Sequence, residues 1–115
     1  MALINASESA TTVSSTTPNA TTFTVSQETV VTAGTPVNAA ALSIPTDFAL
    51  AIQNSPTNTA SMIIYVANSS ANALDPTKRI QLSRSQSISL KVDNASDIWL
   101  NSSANGGKVL LLVEA

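Results

Sequence analysis

The stretch Ile98-Trp99-Leu100-Asn101-Ser102-Ser103-Ala104-Asn105-Gly106-Gly107-Lys108-Val109-Leu110-Leu111-Leu112-Val113-Glu114 decides how this chain folds. Ile98 and Leu100 point one way along an extended segment and Trp99 the other, because successive side chains of a strand alternate between faces. In the second half Val109, Leu111 and Val113 share one face, while Leu110 and Leu112 share the other. Five consecutive apolar residues fall far short of the roughly 20 needed to span a bilayer as a helix, so 109–113 reads as a buried strand. Asn105-Gly106-Gly107 between the two halves has the chemistry of a tight turn, which predicts a β-hairpin joining 98–101 to 108–114.

The same period-2 signal recurs towards the N-terminus. Ile88, Leu90 and Val92 alternate with Ser87, Ser89 and Lys91, which describes a strand with a core face and a hydroxyl-rich wet face. Met62, Ile64 and Val66 alternate with Ile63 and Tyr65, so both faces are apolar and the strand is expected to be central or covered by a partner. Phe48, Leu50 and Ile52 share a face, as do Phe23 and Val25, the latter pair predicting a strand with one side covered. Turn signals separate these segments: Gly34-Thr35-Pro36, the loop 54–58, Asp75-Pro76-Thr77-Lys78 with the residue order of a type I turn, and 93–97. Ala39-Ala40-Ala41-Leu42 is too short to stand as a helix and reads as an irregular link or short strand. About eight short segments at this spacing predict an all-β fold, an antiparallel β-sandwich or jelly roll, with no helix of any length.

Composition narrows the function. The 115 residues fit one domain with a real core. Charged residues are 10% of the chain, so the polar surface is built from Ser, Thr, Asn and Gln. With net charge −2 and five Lys plus Arg, no basic stripe exists to neutralise phosphates, and nucleic acid is not an expected partner. Cysteine and histidine are absent. That removes disulfides, the commonest metal ligand and every Ser-His or Cys-His nucleophile pair, and no set of acid, base and nucleophile is visible. The chain reads as a non-enzyme with no cofactor and no metal.

Residues 1–22 are rich in Ser, Thr, Ala and Asn and carry few large apolar groups, so they read as an extended N-terminal arm preceding a β-sandwich domain over 23–115. The arm is expected to lie on a neighbouring subunit, with packing along its own domain as the alternative. The segment 1–8 lacks the basic and apolar regions of a secretory signal, which predicts assembly in the cytoplasm, and no membrane partner is expected.

The order of segments carries a resemblance. Thr32-Ala33-Gly34-Thr35-Pro36-Val37, then Ile52-Gln53-Asn54, Ile64-Tyr65-Val66-Ala67-Asn68-Ser69-Ser70, Ser87-Ile88-Ser89-Leu90-Lys91-Val92-Asp93-Asn94 and the last apolar pair of strands resemble small β-sandwich structural proteins of tailed bacteriophages. That family includes head decoration, head-fibre and tail accessory modules, and the resemblance covers roughly the last two-thirds of the chain. It implies a virion protein assembled in the host cytoplasm, with the major capsid protein or other virion proteins as partners, and a homo-oligomer, a trimer by family pattern. The expected function is capsid decoration or cementing; the alternative is a head-fibre or tail-fibre component touching host carbohydrate.

Three local clusters have plainer readings. Asp93, Asn94 and Asp97 offer oxygen ligands, but the calcium-loop pattern is incomplete and such residues commonly serve turns. Lys78, Arg79 and Arg84 read as a solvated sheet edge rather than a docking patch. The Asn-x-Ser triplets at Asn68 and Asn101 matter only in a secretory pathway. The sharper candidate is a second apolar face: if Leu50, Ile64, Ile88 and Leu111 fill the sandwich, then Ile63, Tyr65, Trp99, Leu110 and Leu112 point outward as a protein interface, unless an arm or loop of the same subunit covers them. Tyr65 and Trp99 are its expected anchors, since aromatic residues are enriched in interface cores.

Overall fold

The computed structural model describes residues 20–115. The expected arm over 1–22 therefore falls almost wholly outside the described residues. Eight strands are present among them: β1 Phe23–Val30, β2 Val37–Asn38, β3 Leu50–Asn54, β4 Ile64–Ala67, β5 Ile80–Leu82, β6 Ser87–Leu90, β7 Trp99–Ser102 and β8 Gly107–Glu114. They form two four-stranded sheets, ordered β1-β8-β3-β6 and β2-β7-β4-β5. All neighbours are antiparallel. The pairs β1·β8, β2·β7, β3·β6 and β4·β5 nest inside one another, as in a long hairpin rolled up across two sheets, which is jelly-roll connectivity.

Alternation explains the core. Leu50 and Ile52 of β3, Val109, Leu111 and Val113 of β8, and Val30 of β1 meet Ile64 and Val66 of β4, Leu82 of β5 and Leu100 of β7 between the sheets, all buried. Ile88 and Leu90 pack half-buried against this cluster. β4 is central in its sheet, flanked by β7 and β5, as its two apolar faces predict.

The expected hairpin between 98–101 and 108–114 does not form. β7 and β8 lie in opposite sheets, and Asn105-Gly106-Gly107 carries the chain across the edge of the sandwich. Gly106 has φ +80 and its N–H donates to Val30 O at 2.9 Å. At Gly107 the sheets come close: a β-carbon there sits 2.7 Å from Ser102 Cβ and 3.0 Å from Ile64 Cδ1. The glycines serve a sheet crossing, and their turn chemistry alone does not distinguish that from a hairpin. β1 has one covered side: its inner side ends in buried Val30, while Phe23 and Val25 share the open side at 69% and 56% exposure.

Helical structure is slight. Ser69 caps a single turn, α1 Ser70–Ala73, its hydroxyl accepting from Asn72 N–H at 3.1 Å. Asn94 caps a 3-10 turn, Ala95–Asp97, in the same way. The stretch 39–42 is an irregular link, and Ser43 bridges to Asn94 beyond it.

One end of the sandwich is tied by amides. Asn54, fully buried on the inner face of β3, donates from Nδ2 to Met62 O and Leu82 O, both at 2.9 Å, and its Oδ1 accepts from Asn58 Nδ2 at 2.7 Å. Asn58 also donates to Lys108 O at 2.7 Å and accepts from Lys108 N–H at 3.0 Å. Asn54→Ala strands several of these buried groups and is expected to cost about 2–4 kcal/mol, read as a lower midpoint in urea unfolding. Gly107→Ala forces a β-carbon against Ser102 and should cost about 1–3 kcal/mol in the same assay.

Candidate functional site

The five residues expected to form one interface divide between two surfaces. Leu110 and Leu112 lie on the outer face of the β1-β8-β3-β6 sheet, hereafter sheet one. Tyr65 and Trp99 lie on the outer face of the other, sheet two, and alternation puts Ile63 beside them.

Sheet two is partly covered by its own chain. α1 packs against β4 and β7 on this side. The Arg79 guanidinium stacks over the Tyr65 ring, 3.5 Å from the centroid, and its Nη1 donates to Ala73 O at 3.0 Å. Arg79 Nε is buried with no hydrogen-bond partner, and the cation–π contact offsets part of that loss. Asn101, opposite Tyr65 in register, is buried and accepts from Gly34 N–H at 2.9 Å. Trp99 sits one diagonal step from Tyr65, half-buried beside Asn38, whose amide donates to Ser96 O and Ile98 O. The Tyr65 ring thus has one face occupied by Arg79.

Sheet one presents a different surface. Register places Phe23, Val25, Gln27 and Thr29 of β1 opposite Glu114, Leu112, Leu110 and Lys108 of β8. Ala51 and Gln53 of β3 continue the Leu112 and Leu110 rows, and Ser89 and Ser87 of β6 complete them. A shallow groove of about 310 Å³ runs over Val25, Leu110, Leu112, Ala51, Gln53 and Ser87. The apolar groups are contiguous and neutral polar groups rim them. Lys108 and Glu114, both exposed, stand at opposite ends of β8. Such a patch is the candidate contact surface.

A cleft of about 350 Å³ opens where the β5 edge of sheet two faces the β6 edge of sheet one. Val66, Ile80, Leu90 and Ile98 line it, together with Lys78 and Lys91. Lys91 Nζ donates to Thr46 O at 2.9 Å, which turns its charge towards the 44–48 loop.

The remaining candidates are structural. Asn94 Oδ1 accepts from Leu42 N–H at 2.9 Å and from Ser96 N–H and Oγ at 3.0 Å, so it organises the turn. Among the described residues no group of three or more His, Cys, Asp or Glu is placed to hold a metal ion. Sequence reasoning missed Phe23 and Val25 as surface residues; their alternation was visible, but the side on which the core lay was not.

The fold and surface define a jelly-roll β-sandwich whose candidate site is a neutral apolar sheet face. No protein-family model, curated protein or solved structure matches the chain significantly.

The turn after α1 generates a titration prediction. Thr77 N–H and the Thr77 hydroxyl donate to Asp75 Oδ1 at 2.9 and 2.8 Å, and these bonds hold the carboxyl below its ordinary range, helped by Lys78 and Arg79. The contribution to stability is present above the ordinary aspartate range and is lost as pH falls through the lowered value. In Thr77→Val the backbone donor remains, so the Asp75 pKa should rise only partway in a carboxyl NMR titration.

Proposed function

We propose that the chain is a virion structural protein of a tailed bacteriophage, a head decoration or cement protein that binds the capsid through protein contacts. Two things support the reading: the family resemblance of the segments between Thr32 and the last strand, and the open apolar face of sheet one. The face carries the argument. Phe23 and Val25 are mostly exposed, and with Leu110 and Leu112 they form a contiguous apolar row on a chain in which only 10% of residues are charged. A surface of this kind gains by being buried against another protein and gains little by attracting phosphates or ions. The fold by itself hosts many functions, so the surface, and not the jelly roll, bears the weight.

In this reading the sandwich sits on the virion head and buries apolar surface at subunit junctions. Burial at subunit junctions raises the work needed to separate them, which resists outward pressure from packaged genome. Fibre contact with host carbohydrate is the second reading; it needs an aromatic platform, and Tyr65 already has a ring face under Arg79.

Binding to isolated phage heads lacking the protein tests the assignment, with the full chain compared with one starting at Thr22 and with Leu112→Lys. Saturable binding is expected, weakened by loss of the arm and weakened at least about tenfold by the charge placed in the face. Absence of binding to heads, together with binding to host polysaccharide or tail proteins, overturns the head assignment.

A further inference from the structure

We infer that the outer face of sheet one pairs with the same face of a second copy of this chain, stacked about a two-fold axis that runs in the plane of the face and across β8. Charges at the two ends of β8 set the orientation of the pair. Lys108 and Glu114 project from the same side of β8, six residues apart, which is about 20 Å along a strand. Leu110 and Leu112 lie between them, so the pattern along the strand is cation, apolar, apolar, anion.

Two sheet faces related by a two-fold axis meet in one of two ways. An axis parallel to β8 stacks Lys108 on Lys108 and Glu114 on Glu114, and the like charges repel. An axis across β8, passing beside Leu111, reverses the second strand. Lys108 then faces Glu114 of the second copy at both ends, and Leu110 faces Leu112 of the second copy in the middle. The face is therefore self-complementary in one orientation and self-repelling in the other, which selects register as well as partner. Stacked sheets lie about 10 Å apart and cross at about 30°, which displaces the strand ends by about 5 Å, within reach of a lysine and a glutamate side chain.

The size of the face sets the strength. Four strands of these lengths cover about 400 Å² in projection per copy, so the pair lies at the low end of specific interfaces. A weak, reversible dimer is expected, with a dissociation constant of about 10–100 µM. The second copy and the capsid would compete for this face, so head binding is read at about 1 µM, below the dissociation range, where the chain is monomeric and the face is free. A two-fold pair differs from the trimer that the family resemblance implies, and the two make different masses.

The inference rests on the reading of this face as a contact surface and not on the virion assignment. Sedimentation equilibrium of the full chain up to about 1 mM, which spans the expected dissociation range, tests it. Wild type is expected to move from monomer to dimer mass. Leu112→Lys, whose site is outside the core, should stay monomeric with an unchanged circular dichroism spectrum. Lys108→Glu and Glu114→Lys alone should each weaken the dimer about tenfold, and the double reversal should restore it. Wild-type protein that remains monomeric, a trimer, or a dimer that the double reversal does not rescue overturns the inference. Head binding by a protein that stays monomeric up to about 1 mM defeats this inference alone, and a rescued dimer that ignores phage heads defeats the virion assignment alone.

Discussion

The Asn54 side-chain amide is the constraint on which the two-sheet arrangement depends. A buried amide needs both its donors and its acceptor engaged, and each engaged group here belongs to a different part of the chain. Through Nδ2 it fixes the approach to β4 and the end of β5 in sheet two; through Oδ1 and Asn58 it fixes β8 in sheet one. Hydrophobic burial presses two sheets together without choosing their relative position. The amide network chooses it, since a shift of a few ångströms leaves polar groups buried and unpaired. The chain has few charges to spend on such specificity, and it uses neutral amides instead.

That fixed position explains β8. The strand has a neighbour on each side, β1 and β3, and its inner residues Val109, Leu111 and Val113 are buried. Its backbone is therefore held rigidly, and Leu110 and Leu112 are presented to the outside at fixed spacing. A contact surface on a central strand loses little conformational freedom on binding, which favours association over a loop of similar composition. Lys108 joins the two roles. Its backbone is locked to Asn58, while its side chain is free at the rim of the outer face.

Much of the architecture was legible in alternation. Leu50 and Ile52, Ile64 and Val66, and Val109, Leu111 and Val113 lie on the faces that their period predicts. Alternation defines two faces and leaves open which of them meets the core, so the pattern at Phe23 and Val25 implies one covered side without saying which. The 105–107 turn was misread for a related reason: a glycine needed for close approach to Ser102 looks, in sequence, like a glycine needed for a tight turn. α1 had a local signal in Ser69 followed by Ser70-Ala71-Asn72-Ala73, but one helical turn has no period to detect. Asn54 had no signal at all, because nothing local marks an asparagine in a loop motif as a bridge between sheets. The five interface residues were legible as outward-facing and illegible as two separate surfaces, since membership of a sheet depends on strand order.

The neutral surface shapes how contacts are made. With so few charges, approach of a partner is not steered over long distances, so association is expected to be slow; shape and desolvation supply most of the binding, and the charges at the two ends of β8 set the orientation. A protein with apolar rows on an exposed sheet is open to strand addition at its edges. Its edges must be blunted, and here the outer edge strands of the two sheets are short: β2 has two residues, β5 three and β6 four. β1 is the long edge: Thr21 and Thr22 N–H donate to Ala115 O and Thr22 O accepts from Ala115 N–H, which extends its ladder with β8 and leaves its outer side unpaired among the described residues. Edge-to-edge growth is thereby disfavoured at three of the four sheet edges, and the broad face of sheet one is open among the described residues. Pairing through the face, as proposed, closes at two copies, whereas strand addition along the unpaired side of β1 has no natural end.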